Sequence, residues 1–162
     1  MNIIGQIINA MIAYYAGDVR RINHFLKVYG FAKAIGEMEG LDESTQEILE
    51  IAALIHDIGI KNSEKKYNSS AGNYQQIEGP PEAKKLLERL DVELGIIDRV
   101  YWLIAHHHTY TDIQGIDYQI LVEADFLVNA FEDDMSNDSV HSAGGKMFKT
   151  LSGKAILNAI YA

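Results

Sequence analysis

The sequence contains no cysteine, and this absence excludes several kinds of chemistry at once. Disulfide bonds, zinc sites with thiolate ligands and cysteine nucleophiles all require that residue. Long apolar runs are also missing, since no segment approaches the roughly 18 residues that a membrane-spanning helix needs. The N-terminus has neither the charged region nor the cleavage site of a signal peptide. We therefore expect a cytoplasmic protein that has no membrane segment.

Positive charge is scarce, because 14 lysines and arginines face 23 aspartates and glutamates, which gives a net charge of −9. Proteins that bind DNA or RNA backbones need lysine and arginine to displace counterions. The composition therefore predicts no nucleic-acid partner and favours a small-molecule ligand, for which a local basic pocket is enough.

Neither alternating strand patterns nor internal repeats occur in the sequence, whereas apolar residues recur at helical spacing throughout. The fold class predicted is all-α, a bundle of about six to eight helices in one domain over residues 1–162. A chain of this length can bury a substantial core. The first apolar helix, Ile3–Tyr15, packs either on this core or against another chain, which makes an oligomer possible.

Turn and cap residues predict where the other helices begin and end. Asp18 and Asp42 are placed as N-caps of a second and a third helix. The polar segment Lys61–Tyr74 has loop character, and Pro80 suits the first turn of the helix that follows. Further helices are expected over about 93–106 and from about 117, followed by a tail that is broken near Gly144, Gly145 and Gly153.

Four polar residues fall where the helical pattern is apolar. The segment IAALIHDIGI, residues 51–60, places His56 and Asp57 at the end of a core helix. His24 shares a helix face with Val28 and Ile35, and Asp125 lies within ILVEADFLVNA. Burying such groups costs free energy unless each has a partner.

Two imidazoles and two carboxylates form a nitrogen and oxygen ligand set that suits manganese, iron, zinc or cobalt. Neighbouring residues of a helix project about 100° apart, so His56 and Asp57 can share an ion only beyond the end of their helix. We expect Gly59 to supply that end. Taken alone, each residue could instead be a hydrogen-bonded core residue.

The order of these residues resembles the motif of the HD superfamily of metal-dependent phosphohydrolases. His24 comes first, the pair His56-Asp57 follows with Ile58-Gly59 directly after it, and Asp125 comes last. The resemblance covers about residues 20–130. It implies a helical bundle in which His24, His56, Asp57 and Asp125 hold a divalent metal ion (Mn, Fe, Co, Ni, Zn or Mg). It also implies hydrolysis of a phosphomonoester or phosphodiester in a small molecule such as a nucleotide.

Some members of that superfamily hold a second metal with further histidines. His106, His107 and His108 stand where the later of these would lie, but the earlier one is absent, and the nearest matching stretch contains Glu78. Either Glu78 replaces it as ligand or general base, or the second site is incomplete. Glu78 could also simply cap a helix, and the three histidines could form a solvated helix end.

The resemblance assigns candidate roles to these residues. Asp57 or Glu78 accepts a proton from water, and Lys61 with His107 stabilises charge on the phosphate. His106, His108, Lys61 and Arg21 are candidates for binding the substrate, although the sequence favours a solvent-exposed position for Lys61. Two other functions stay open: a di-iron oxygenase, as in some relatives, and a sensor that binds a metal or nucleotide without turnover.

Overall fold

The computed structural model describes residues 2–162, and all regular secondary structure in that range is helical. This confirms the predicted all-α class. Nine helices are described, where about six to eight were expected. In chain order they are α1 (Ile3–Tyr14), α2 (Val19–Met38), α3 (Glu43–Ile55), α4 (Ile60–Tyr67), α5 (Gly72–Arg89), α6 (Leu94–His106), α7 (Ile116–Glu132), α8 (Asn137–Met147) and α9 (Leu151–Ile160).

Helix α3 lies at the centre of the bundle and contacts α1, α2, α6 and α7. Every residue from Leu49 to Ile55 is buried, because helices surround this segment on all sides. Helices α2 and α7 pack on each other beside it. The last turn of α3 and the middle of α2 and α7 therefore meet inside the bundle, where polar residues must find partners.

The two predicted N-caps are confirmed. The carboxylate of Asp18 accepts a hydrogen bond from Arg21 N, and that of Asp42 accepts one from Thr45 N. These bonds satisfy amide groups that a helix start leaves unpaired. The beginnings of α2 and α3 are thus determined locally by the sequence.

Helix α1 packs against α3 and α2 of its own chain. Its side chains Ile7 and Met11 are fully buried there, and Tyr15 is nearly so. Of the two placements expected for this helix, the structure shows packing on the core. None of the helices within residues 2–162 is long and apolar enough to cross a membrane.

The segment predicted as a long loop, Lys61–Tyr74, is mostly helical, so that prediction was wrong. Helix α4 and the start of α5 occupy it, and only residues 68–71 connect them. Helix α4 buries only Ile60 and Ser63, so its sequence carries no apolar period. It is stabilised by packing on α5.

Pro80 and Pro81 lie inside α5 and not in its first turn, because α5 begins at Gly72. Proline inside a helix removes a backbone hydrogen bond and normally costs about 3 kcal/mol. Pro80 is buried, and α5 packs along both α4 and α6. We attribute the continuation of the helix to these contacts, which the local sequence does not reveal.

The tail forms two helices, as expected, but they separate at residues 148–150 and not at the glycines. Gly144 lies within α8, where a Cβ atom would come 2.6 Å from Leu157 Cδ2. Gly153 lies within α9 against the carboxylate of Glu123. Both glycines lie where a neighbouring side chain comes close to the helix backbone, and the helices continue through them.

Candidate metal centre

The His-Asp pair follows directly after the end of α3. The helix ends at Ile55, and residues 56–59 form a turn before α4 begins. Because these residues do not continue a regular helix, His56 and Asp57 can face one point. The hydroxyl of Tyr15 donates a hydrogen bond of 2.8 Å to the carbonyl oxygen of Asp57 and so holds this turn against α1.

The expectation that Gly59 ends the helix was wrong, because α3 already ends at Ile55, four residues before this glycine. Its φ and ψ angles are −74° and −13°, which any residue adopts. A Cβ atom at this position would instead lie 2.6 Å from Gly79 N and 2.9 Å from the Gln75 carbonyl oxygen. The glycine is required because α5 passes so close to the turn.

The four predicted ligand residues come together at one point. His24 Nε2 lies 3.3 Å from His56 Nε2, and 3.2 Å from both Asp57 Oδ2 and Asp125 Oδ1. His56 Nε2 lies 3.4 Å from the same two oxygens. Helices α2 and α7 and the turn after α3 each contribute to the group. His24, His56 and Asp125 are each less than 10% exposed.

The two imidazoles use Nδ1 for hydrogen bonds outside the ligand group, so that Nε2 of each ring faces the other ligands. His24 Nδ1 donates to Glu132 Oε2 at 3.1 Å, and His56 Nδ1 donates to the Ala53 carbonyl oxygen at 2.8 Å. In the neutral rings the lone pairs on Nε2 therefore point toward the carboxylates. Asp125 Oδ1 is buried, and the Nε2 atoms of His24 and His56 lie 3.2 and 3.4 Å from it.

Electron-rich atoms at this spacing favour a positive charge between them, and His24, His56 and Asp57 each offer a ligand atom within 4.8 Å of the other two. Ligands about 2.1 Å from an ion lie about 3.0–3.4 Å from one another in octahedral or tetrahedral arrangements. The observed separations of 3.2–3.4 Å agree with that range. The residues present thus fit a divalent metal ion.

The pKa values of the same groups show how strongly the site attracts cations. Burial alone would lower the pKa of His24, but hydrogen bonds with Asp125 and Asp57 raise it to about 9. The pKa of His56 is also raised despite its burial, mainly by the charge of Asp57. The pKa values of both carboxyl groups are lowered despite burial. The charge of His56 is the main cause for Asp57, and the hydrogen bond with His24 is the main cause for Asp125. Without a metal, the histidines hold protons in its place.

A second group of potential ligands shares Asp57 with the first. Asp57 Oδ1 lies 3.5 Å from His107 Nε2, on the other side of the carboxylate from His24. One atom each of Asp57, His107 and His108 lie within 4.8 Å of one another. His107 Nδ1 donates to the Ile104 carbonyl oxygen, and its buried Nε2 has no hydrogen-bond partner within residues 2–162.

His108 is turned toward α5. Its Nε2 donates to Gln75 Oε1 at 2.9 Å, which leaves the lone pair on Nδ1. Burial and then the neighbouring His107 lower the pKa of His108 to about 4, so this imidazole is neutral at pH 7. It can offer a nitrogen ligand but supplies no positive charge to a phosphate.

Three residues predicted for the site lie elsewhere. His106 stacks on Trp102 with ring centroids 4.1 Å apart and hydrogen-bonds the Trp102 carbonyl oxygen. The Glu78 carboxylate accepts hydrogen bonds from Lys66 and Tyr67. Lys61 is exposed and donates to the Tyr14 carbonyl oxygen.

A cavity of about 460 Å³ opens over the first ligand group. It contains four of the residues named above as ligands, His24, Asp57, His108 and Asp125, but neither Lys61 nor Glu78. Arg21 also lines it, although Asp18 and Glu64 both pair with this arginine. The remaining lining residues are Asp18, Arg20, Ile60, Ser70, Gln75, Asn129 and Glu132.

Two residues of this cavity were missed, although spacing could have indicated them. Glu132 follows Asp125 by seven residues and therefore lies on the same face of α7 two turns later. Arg20 precedes His24 by four residues on α2, and within residues 2–162 it forms no ion pair. The position of Tyr15 under the turn has no such signal, because it depends on how α1 docks.

A family model described as HD domain matches residues 21–139, more than half of the chain. The matched range contains all the ligand residues described above. Comparisons with curated proteins and with solved structures gave no match.

Proposed function

The chain belongs to the HD domain family, and from this premise we propose that it is a metal-dependent hydrolase of a small phosphate ester, such as a nucleotide. The observation that carries the proposal is the convergence of His24, His56, Asp57 and Asp125 at ligand spacing. We propose that these four residues hold the ion. When bound, a divalent ion supplies Lewis acidity for water activation and for neutralising phosphoryl charge.

The residues around the ligand group are suited to a phosphate. Arg20 lines the cavity and forms no ion pair within residues 2–162, so it is free to contact an anion. Arg21 is held by two carboxylates and is less available. Asn129 and Ser70 add neutral hydrogen-bonding groups to the same wall. We infer that Arg20 is the main cationic contact for the substrate.

Asp57 has a double role in this proposal. One of its oxygens faces His24 and His56, and the other faces His107. We propose that the second group, Asp57 with His107 and His108, holds a second ion. Glu78 has no part in it, because its carboxylate is engaged by Lys66 and Tyr67 outside the cavity.

The test uses purified protein reconstituted with Mn²⁺ and assayed with bis(p-nitrophenyl) phosphate and a panel of nucleotides. We expect wild-type hydrolysis, and we expect the Asp57→Ala variant to lose both metal retention and turnover. Asp98→Ala on the exposed side of α6 is the matched control and should behave as the wild type. Turnover by Asp57→Ala at the wild-type rate would overturn the assignment.

The presence of Asp57 in both ligand groups also favours a second candidate, a di-iron oxygenase, because the two groups together would hold two ions close to each other. Iron at two equivalents per chain together with oxygen consumption, and no hydrolysis of any ester, would support it. Hydrolysis supported by manganese without oxygen consumption would reject it.

A further inference from the structure

A second and larger cavity, of about 940 Å³, lies along α8. We call it the α8 groove. Its walls come from the connection between α6 and α7, from the start of α7, and from one face of α8. It shares no lining residue with the cavity over the metal centre. Its charged lining residues are Asp112, Asp138, Lys146 and Lys149, and Ser142 lines it between Asp138 and Lys146.

The middle of the groove is apolar. Met135, Met147 and Ile113 are only partly buried, and the Tyr110 side chain is 51% exposed. Thioether and aromatic groups make favourable contacts with the face and edge of an aromatic ring. An apolar surface left open in a cavity of this size is typical of a binding site for an organic ligand.

Charges are distributed unevenly along the groove. Lys146 lies in the last turn of α8 and Lys149 lies two residues beyond its end, and neither ammonium group forms an ion pair within residues 2–162. Asp138 lies in the first turn of α8, about 12 Å away from Lys146 along the helix axis. The other acidic lining residue, Asp112, accepts a hydrogen bond from Gln114 Nε2 at 3.2 Å. In a chain of net charge −9, two unpaired lysines beside an apolar surface provide a local site for an anion.

Tyr110 connects the groove to the metal centre. It follows His108 by two residues, and its ring lines the groove. Gln119, which also lines the groove, lies on α7 six residues before Asp125, or about 9 Å along the helix axis. The groove therefore begins beside the ligand residues His108 and Asp125.

We propose that the α8 groove binds the organic part of the phosphate ester, and that this part is a flat apolar body carrying a second anionic group. The apolar walls would hold the flat body, and Lys146 and Lys149 would pair with its anion. This inference rests on the proposed function for the role of the metal centre. The existence of a site for aromatic anions in the groove can be tested independently of any hydrolysis.

Direct binding is measured with 1-anilinonaphthalene-8-sulfonate, a fluorescent aromatic anion. We expect saturable binding to the wild type and at least about tenfold weaker binding, equivalent to about 1.4 kcal/mol, in Ser142→Trp and in Lys146→Glu. Ser142 and Lys146 are exposed, so both variants should fold. Gly145→Trp and Lys154→Glu are the matched controls, since both positions are exposed and outside the groove. Equal binding by all five proteins would overturn the proposal.

Hydrolysis of two esters then tests the link to the metal centre. For 4-sulfo-1-naphthyl phosphate we expect kcat/KM to fall about tenfold in Ser142→Trp and Lys146→Glu. For p-nitrophenyl phosphate, which is smaller and has no second anion, the same variants should match their controls. If both esters are hydrolysed but neither is affected, the groove assignment fails while the proposed function stands. If the dye binds in the groove but no ester is hydrolysed, the proposed function fails, and with it the role of the groove in substrate binding.

Discussion

Glu132 should determine how tightly the metal centre holds its ion, although it is not among the proposed ligands. Its carboxylate accepts a hydrogen bond of 3.1 Å from His24 Nδ1 and pairs with Lys27 at 2.8 Å. The bond to Nδ1 keeps the proton on the outer nitrogen and directs the lone pair of Nε2 toward the ion. The substitution Glu132→Gln preserves the shape of the side chain but removes its charge.

Removal of a carboxylate that hydrogen-bonds a metal-ligating histidine typically lowers metal affinity tenfold to a hundredfold, or by about 1.4–2.7 kcal/mol. We expect a loss in this range for Mn²⁺ binding to Glu132→Gln, measured by isothermal titration calorimetry at constant pH. The carboxylate is only 12% exposed, so solvent should not compensate fully for the lost charge.

Two control variants separate this effect from others. Lys27→Met removes the other partner of Glu132 and leaves the bond to His24 intact, so its Kd should stay within about threefold of the wild type. Glu37→Gln changes an exposed carboxylate elsewhere on α2 and should have no effect on metal binding. Unchanged affinity in Glu132→Gln, or an equal loss in Lys27→Met, would refute the reasoning.

Further predictions concern His24, Gly59 and Arg20. The metal-free protein should lose thermal stability as pH rises from about 6.5 through about 9, because the raised pKa of His24 stabilises the fold only while the ring is protonated. Melting temperatures measured by circular dichroism should show this loss in an EDTA-treated sample and not in a sample with bound Mn²⁺. Gly59→Ala should destabilise the protein by about 2 kcal/mol in urea denaturation, since its Cβ meets the backbone of Gly79, whereas Gly145→Ala meets nothing and should stabilise α8 slightly. Arg20→Ala should raise KM for phosphate esters roughly tenfold and Arg89→Ala should not, as steady-state kinetics would show.

Sequence reasoning singled out the four proposed ligands of the first group because each one interrupts an apolar pattern. His24 lies at helical spacing from Val28 and Ile35, and Asp125 lies within an apolar run. The buried positions of these residues follow from helix periodicity, which is a local property. The class of the fold was predictable for the same reason.

The rest of the centre depends on how helices pack against one another, which local patterns do not contain. Gly59 was correctly singled out, but its reason is the passage of α5 and not the end of α3. Glu78 and Lys61 are close to the pair in sequence, yet α4 is a helix and carries them to other partners. Spacing along α6 favours His107, because it follows Val100, Leu103 and Ile104 at helical intervals.

The measurement that tests the central claim most directly is the rate of phosphate ester hydrolysis at increasing equivalents of Mn²⁺ added to metal-free protein, with bound metal determined in the same samples. We predict that the rate rises in proportion to bound metal and reaches its maximum at one or two equivalents per chain. Hydrolysis that is independent of bound metal, or full metal binding with no hydrolysis of any ester tested, would contradict the account.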